Sequence, residues 1–299
     1  MAVARTGTSE RGGTFWTEGE TISLLLEREH QIKSEILEAG QASIENARRL
    51  DENTIDLAFM ASNWIGRAYH GEAPFQQPID IRMVAPANCG AMFFITRANS
   101  DLRNIRDMVG KRVSIGPEGS GMVQHIHTIF GALGIAFEEF TPVYLSFEEG
   151  GKALEEGEVD AQWQCPYPNK VMKAISERLD IRVLEYLTSD LSRIMGDTKF
   201  YRRSIMPAGF FRGIEIETEQ LAVVNIIAAH ARTDGELVYK YVSTILKNLP
   251  ELAKINPLFI GLEKVFEELN SEGQKCIEFG GTPLHPGAIQ AYKDAGYRI

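Results

Sequence analysis

Residues 112–133 read RVSIGPEGSGMVQHIHTIFGAL, and this stretch decides the fold. Its opening, Arg112 to Ile115, is a short β-rich run of the kind that forms a buried strand. From Gly121 onward Val123, Ile126, Ile129, Phe130 and Leu133 recur at helical spacing, which predicts an amphipathic helix over 121–133. Between the two lies Gly116-Pro117-Glu118-Gly119-Ser120-Gly121. A glycine-rich turn from strand to helix leaves unpaired N–H groups at the helix start, and such a place suits an anion. Ser120 can cap the helix or donate its hydroxyl to a ligand oxygen, while the glycines let the backbone approach closely. A tight turn with an ordinary cap explains the same residues without a ligand. The loop has neither the lysine of a nucleotide-binding P-loop nor the spacing of a dinucleotide fingerprint.

Working outward, strands and helices alternate. Strands are expected at 3–6, 55–60, 79–85 and 92–96, with helical patterns at 18–28 and 46–51, which is α/β order. The pairs 142–145 with 147–156, 159–163 with 168–179, and the strand 181–187 are expected to form a parallel sheet of their own. Residues 189–206 read as polar and irregular. Ala222 to Ala229 returns as a very apolar strand, followed by a helix over 235–248. That return predicts a discontinuous first lobe, 1–95 plus 207–299 with C-terminal cap helices, and a second lobe of 96–206. Crossings near Thr96 and Met206 would make a hinge of extended segments.

Composition fits this division. A chain of 299 residues, 44% hydrophobic and 24% charged, is long enough for two domains of roughly 150 residues each. Acidic residues outnumber basic ones, 41 to 31, and no basic stripe offers a nucleic-acid surface. The net charge of -10 weakly repels an anion at long range, so capture must rest on local groups aimed at it. Three cysteines with no CxxC suggest neither a disulfide framework nor a zinc site. No long apolar run and no signal-peptide core are present, and a periplasmic location is expected with the leader removed.

Three further segments fall at the carboxyl ends of expected strands, where open α/β sheets bind ligands. Gly12-Gly13-Thr14-Phe15-Trp16 is a second glycine turn, whose aromatics either wall a pocket or belong to the core of the first helix. Ser62-Asn63-Trp64 offers polar side chains that serve equally well as helix caps. Gln162-Trp163-Gln164-Cys165-Pro166 places amides where they are unexpected unless they serve a site. Trp16, Trp64 and Trp163 are the only tryptophans, which suggests an aromatic-walled pocket for a ligand with an apolar body. His125 and His127 stand two apart on a helix and so point to different faces, against joint metal binding. No base is brought to Cys165, which reads as an inert thiol, and Asp56 and Asp160 read as turn residues.

Taken together, GGTFW at 12–16, SIEN at 43–46, IDLAFMASNWIGRAYHGEAPF at 55–75, GKRVSIGPEGSGM at 110–122, VDAQWQCPYPN at 159–169 and LHPGAIQAYKDAG at 284–296 resemble the TAXI family of TRAP-transporter solute receptors, in order and over nearly the whole chain. The resemblance implies the type II periplasmic-binding-protein fold, two α/β lobes with a hinge and an interlobe cleft. It implies a monomeric receptor and no enzyme, without cofactor or metal. Such a receptor captures a small organic carboxylate, an amino acid, dicarboxylate or aromatic acid, and delivers it to TRAP permease subunits. Carried over by position, the ligand contacts are Gly13, Thr14, Phe15 and Trp16, then Ser62 and Asn63, then Ser120, Gly121 and Met122, and finally Gln164, Pro166, Tyr167 and Pro168; Trp64 and Trp163 join them as the proposed aromatic walls. Met122 stands where the family commonly has Thr, and Gln164-Cys165-Pro166 replaces a run of small residues, which leaves the ligand open. The rival from another class is a cytoplasmic enzyme on the same fold, such as an aromatic-acid decarboxylase. A soluble sensor is a third reading.

Overall fold

The computed structural model describes residues 3–118, 120–164, 166, 170–196 and 198–299. Its contacts divide the chain into two units, the first comprising Met1–Cys89 with Val224–Ile299 and the second Gly90–Val223.

In the first unit, β1 (Val3–Gly7), α1 (Thr14–His30), β2 (Lys33–Leu37), α2 (Ala42–Asp51), β3 (Leu57–Met60) and α3 (Ser62–His70) follow in strict alternation before β4 (Ile81–Arg97). β1 lies between β2 and β3, parallel to both, with Thr6 opposite Leu57 and Gly7 opposite Ala58. β3 is buried along its whole length, as a strand covered on both faces must be. β2, KSEIL, was not expected from the sequence; it is an edge strand with no fully buried residue, so it lacks the apolar run that marks its neighbours.

The second unit adds β5 (Arg112–Ser114), α4 (Gly121–Leu133), β6 (Thr141–Val143), α5 (Phe147–Glu156), β7 (Ala161–Gln164), α6 (Lys170–Arg178), β8 (Ile181–Val183), α7 (Thr188–Met195), β9 (Tyr201–Met206) and β10 (Thr218–His230). β5 is parallel to β6 and β7, but β4 is antiparallel to β7 and β8, so the sheet is mixed where a parallel one was expected. Alternation along β4 sends Met92 and Phe94 into one core cluster and Phe93 and Ile95 into another, so both faces of this sheet are covered. Residues 189–206, read as irregular, hold α7 and β9. The reading failed because β9, YRRSIM, buries only its two ends and carries polar side chains between.

β4 is one strand of seventeen residues where two were expected. Pro86 to Gly90 has turn-like composition, yet Asn88 is fully buried and hydrogen-bonded. Gly90 is needed for close approach, since a Cβ there would lie 2.2 Å from the Cβ of Pro166. β4 and β10 each run from one unit into the other, so the divisions fall inside strands, at 89/90 and 223/224, and not near Thr96 and Met206.

The chain ends in the first unit with α8 (Gly235–Lys247), α9 (Leu249–Ile255), α10 (Leu262–Glu272) and α11 (Pro286–Asp294). The LHPGAIQAYKDAG segment has a structural task here. His285 Nδ1 accepts from Gly287 N to cap α11, and Tyr292 donates its hydroxyl to Val84 O at 3.0 Å, tying that helix to β4. No helix among the described residues is long and apolar enough to cross a membrane.

Candidate functional site

Because β1 and β3 are adjacent and parallel, the loops that leave their carboxyl ends meet at one edge of the first unit. These loops lead into Gly13 to Trp16 and Ser62 to Trp64, at the starts of α1 and α3. The α1 and α3 N-caps, Gly13 and Ala61, make no side-chain cap, and neither helix has an acidic residue in its first turn. Ser9 Oγ accepts from Trp16 N at 3.3 Å, and the hydroxyl of Ser62, 2% exposed, finds no partner among the described residues. Phe15 is half-buried, its ring 5.8 Å from Phe59. Trp16 and Trp64 are buried, with Arg11 over the first indole at 4.8 Å and Arg67 over the second at 5.3 Å.

Two side chains of the SIEN segment hold this edge in place. Asn46, fully buried, donates through Nδ2 to Thr8 O at 2.8 Å and to Phe59 O at 3.1 Å, joining the ends of β1 and β3. Ser43 Oγ accepts from Ala61 N at 2.9 Å, directly before α3. The sequence singled these out only through the family resemblance. A buried Asn flanked by two strand ends is their physical signal.

In the second unit β5 and β7 are likewise adjacent and parallel, so their carboxyl ends share an edge. Ser120 caps α4, accepting from Val123 N at a long 3.5 Å, and the first turn of α4 carries no acidic residue. α5 differs: its N-terminus is closed by a capping box of Ser146 and Glu149 and bears two glutamates in its first turn. The first turns of α1, α3 and α4 therefore carry no acidic side chain to offset the helix dipole, while that of α5 does. Gly121 and Met122 are half-buried, and Gln164 and Pro166 are buried. Gly119, Cys165, Tyr167 and Pro168 lie outside the described residues.

Gly116 holds φ at +97°, and a Cβ there would come within 2.6 Å of Met122 Cε. Gly116→Ala is therefore expected to lower stability by about 1–3 kcal/mol and to displace Met122. Urea unfolding reads this directly; an unchanged midpoint contradicts it.

Two sequence expectations change in this unit. Trp163 is 1% exposed and belongs to the core with Ile126, Phe130 and Phe94, so its ring packs inside the unit. Gln162 is tied to α5 through Nε2 to Phe147 O at 2.7 Å, which accounts for one of the amides structurally. His125 is buried with Nδ1 2.7 Å from the Tyr201 hydroxyl, whereas His127 is exposed and stacks on Phe137, which agrees with their different faces. Asp56 pairs with Arg5 and Asp160 with Arg112. Among the described residues no three His, Cys, Asp or Glu side chains gather where a metal ion could be held.

Architectures of this kind occur among solved solute-binding proteins. The periplasmic sulfonate-binding protein SsuA from Methylobacillus flagellatus KT matches with a TM-score of 0.59 at 15% identity, over 99% of this chain and 95% of that one. The ligand-binding component of an ABC-type import system from Staphylococcus aureus matches at 0.56 and 12% identity, over 97% and 98%. The periplasmic aliphatic sulphonate binding protein SsuA from Escherichia coli matches at 0.50 and 17% identity, over 98% and 83%. The fold is thus that of the periplasmic binding proteins. The chain itself belongs to the NMT1-like family, whose pattern it matches over residues 6–296.

Proposed function

We propose that this protein is an extracytoplasmic solute receptor that binds a small organic carboxylate without transforming it and delivers it to a membrane permease. The observation that carries the reading is that α1 and α3, which lack acidic first turns, start at the ends of the adjacent parallel strands β1 and β3, and that within the second unit α4 starts in the same way after β5. Backbone N–H groups there, with the hydroxyls of Thr14, Ser62 and Ser120, would receive the acid oxygens. Gly13 and Gly121 allow the approach, and Phe15, Trp16, Asn63, Trp64 and Met122 would bound the body of the ligand. Gln164 to Pro168 would complete the contacts, and Trp163 would stiffen their strand from within the core. The motif resemblance favours a TRAP-type permease as the partner.

Sulfonate is the second reading, because two matched proteins bind sulfonates and a sulfonate presents the same kind of oxygens to N–H donors. Calorimetry with glutamate, succinate, benzoate and ethanesulfonate separates the two. Carboxylates are expected to bind and ethanesulfonate to bind more weakly; the reverse order transfers the reading to sulfonates. Ser120→Ala is expected to weaken binding by about 1 kcal/mol, roughly fivefold. Equal affinity in the variant refutes the role given to Ser120.

A further inference from the structure

Three buried polar side chains of the first unit form a chain that ligand capture, as proposed above, does not use. Asn225 of β10 donates through Nδ2 to Asn88 Oδ1 at 3.0 Å, and Asn88 of β4 donates through Nδ2 to Glu18 Oε1 at 2.8 Å. Glu18 and Asn88 have no exposed surface and Asn225 is 6% exposed. Their placement is specific. Glu18 stands one turn into α1, directly behind Gly13 to Trp16. Asn88 and Asn225 stand where β4 and β10 approach the ends of the first unit, next to the divisions at 89/90 and 223/224.

An ionised carboxylate in such a place would need a cation or several donors. Glu18 has one donor, and its Oε2 has no partner among the described residues. The groups that face it are Asn88 from β4 and Tyr241 from α8, neither of them charged; Thr8 and Phe59, beside the neighbouring Gly19, are also neutral. Burial pushes the Glu18 carboxyl well above the usual carboxylate range, with the Asn88 hydrogen bond pulling in the opposite direction. The group is thus held as a neutral acid, a form that still accepts from Asn88.

Resting on the receptor reading, we propose that Glu18 is a positioning residue: as a neutral acid it fixes the start of α1, and with it Gly13 to Trp16, onto β4 and β10 through Asn88 and Asn225. Removing its proton places an unpaired charge among these elements and loosens the start of α1. Affinity for an anion at that loop therefore falls as pH rises.

The test compares amide hydrogen exchange in the ligand-free full chain and in Glu18→Gln, which keeps the acceptor for Asn88 but does not titrate. As pH is raised above neutrality, after correction for intrinsic exchange, protection of the first turns of α1 is expected to fall about tenfold in the native protein and to stay level in Glu18→Gln. Glu18→Leu is expected to lose that protection at every pH, so that Gln rescues and Leu does not. Parallel profiles in the native protein and Glu18→Gln overturn the proposal; should the Leu variant fail to fold, this comparison decides alone. Titration with succinate and benzoate, ionised throughout this range, adds the second readout: a probe that binds should weaken about tenfold in the native protein only, and equal weakening in both proteins overturns the link to the ligand. Failure of both probes to bind counts against the receptor reading, and the exchange profiles still decide the role of Glu18.

Discussion

Replacing Asn46 by alanine is expected to destabilise the protein by about 2–4 kcal/mol and to weaken ligand binding at the same time. The side chain is fully buried, and its amide serves two main-chain oxygens, Thr8 O and Phe59 O, that close the neighbouring strands β1 and β3. Alanine leaves both oxygens buried without that donor and opens a gap beside Gly7, whose position is so tight that a Cβ there would lie 2.5 Å from Asn46 Oδ1. The same two strand ends launch the loops that carry Gly13 to Trp16 and Ser62 to Trp64, so the loss reaches the site without any contact between Asn46 and ligand. Urea unfolding checks the magnitude. A loss below about 1 kcal/mol means that water or a backbone shift replaces the amide, and that Asn46 does not set the loop positions.

The second large effect follows acidification. Burial lowers the pKa of His125 from 6.5 to about 4. A histidine depressed in the fold takes up its proton first in the unfolded chain, so the stability it contributes is complete above its unfolded value and is lost as pH falls from there towards the folded value. Over that window the loss amounts to about 3 kcal/mol. Carboxylates add their own slope, which a variant separates from that of His125. His125→Gln keeps a partner for Tyr201 but does not titrate, and the difference in unfolding free energy between native protein and variant is expected to shrink by about 3 kcal/mol between about pH 7 and about pH 4. Parallel curves would show that His125 is not held neutral by its surroundings.

How far the residues foretell the fold depends on where each element's information lies. α4 and α5 have the ends expected from sequence, because each combines helical apolar spacing with a serine at its start and a left-handed glycine, Gly134 or Gly157, at its close. These are local signals. β2 and β9 are edge strands with polar faces, which periodicity cannot separate from loop; only pairing to β1 and β10 defines them. β4 escaped as a single strand because Asn88 and Gly90 look like turn residues, while their place in an extended strand is set by Glu18, Asn225 and Pro166, all distant in sequence.

Within the candidate site, the glycine turns and the hydroxyl residues were legible as strand-to-helix connections, and in the first unit the adjacent strands β1 and β3 lead into two of them. The tryptophans were less legible. Clustering of all three in candidate loops suggested a common wall, yet Trp163 alternates inward from β7 and fills the core of its unit. Asn46, Ser43 and Glu18 act through buried hydrogen bonds, and composition or spacing carries no mark of such a task.

The most direct test of the central claim is mass spectrometry of the protein with glutamate, succinate and benzoate, first under native conditions and then on the recovered small molecules. A receptor is expected to hold one acid per chain and to return it chemically unchanged after prolonged incubation. Consumption of any of these acids with appearance of a product would contradict the account and give the fold to an enzyme.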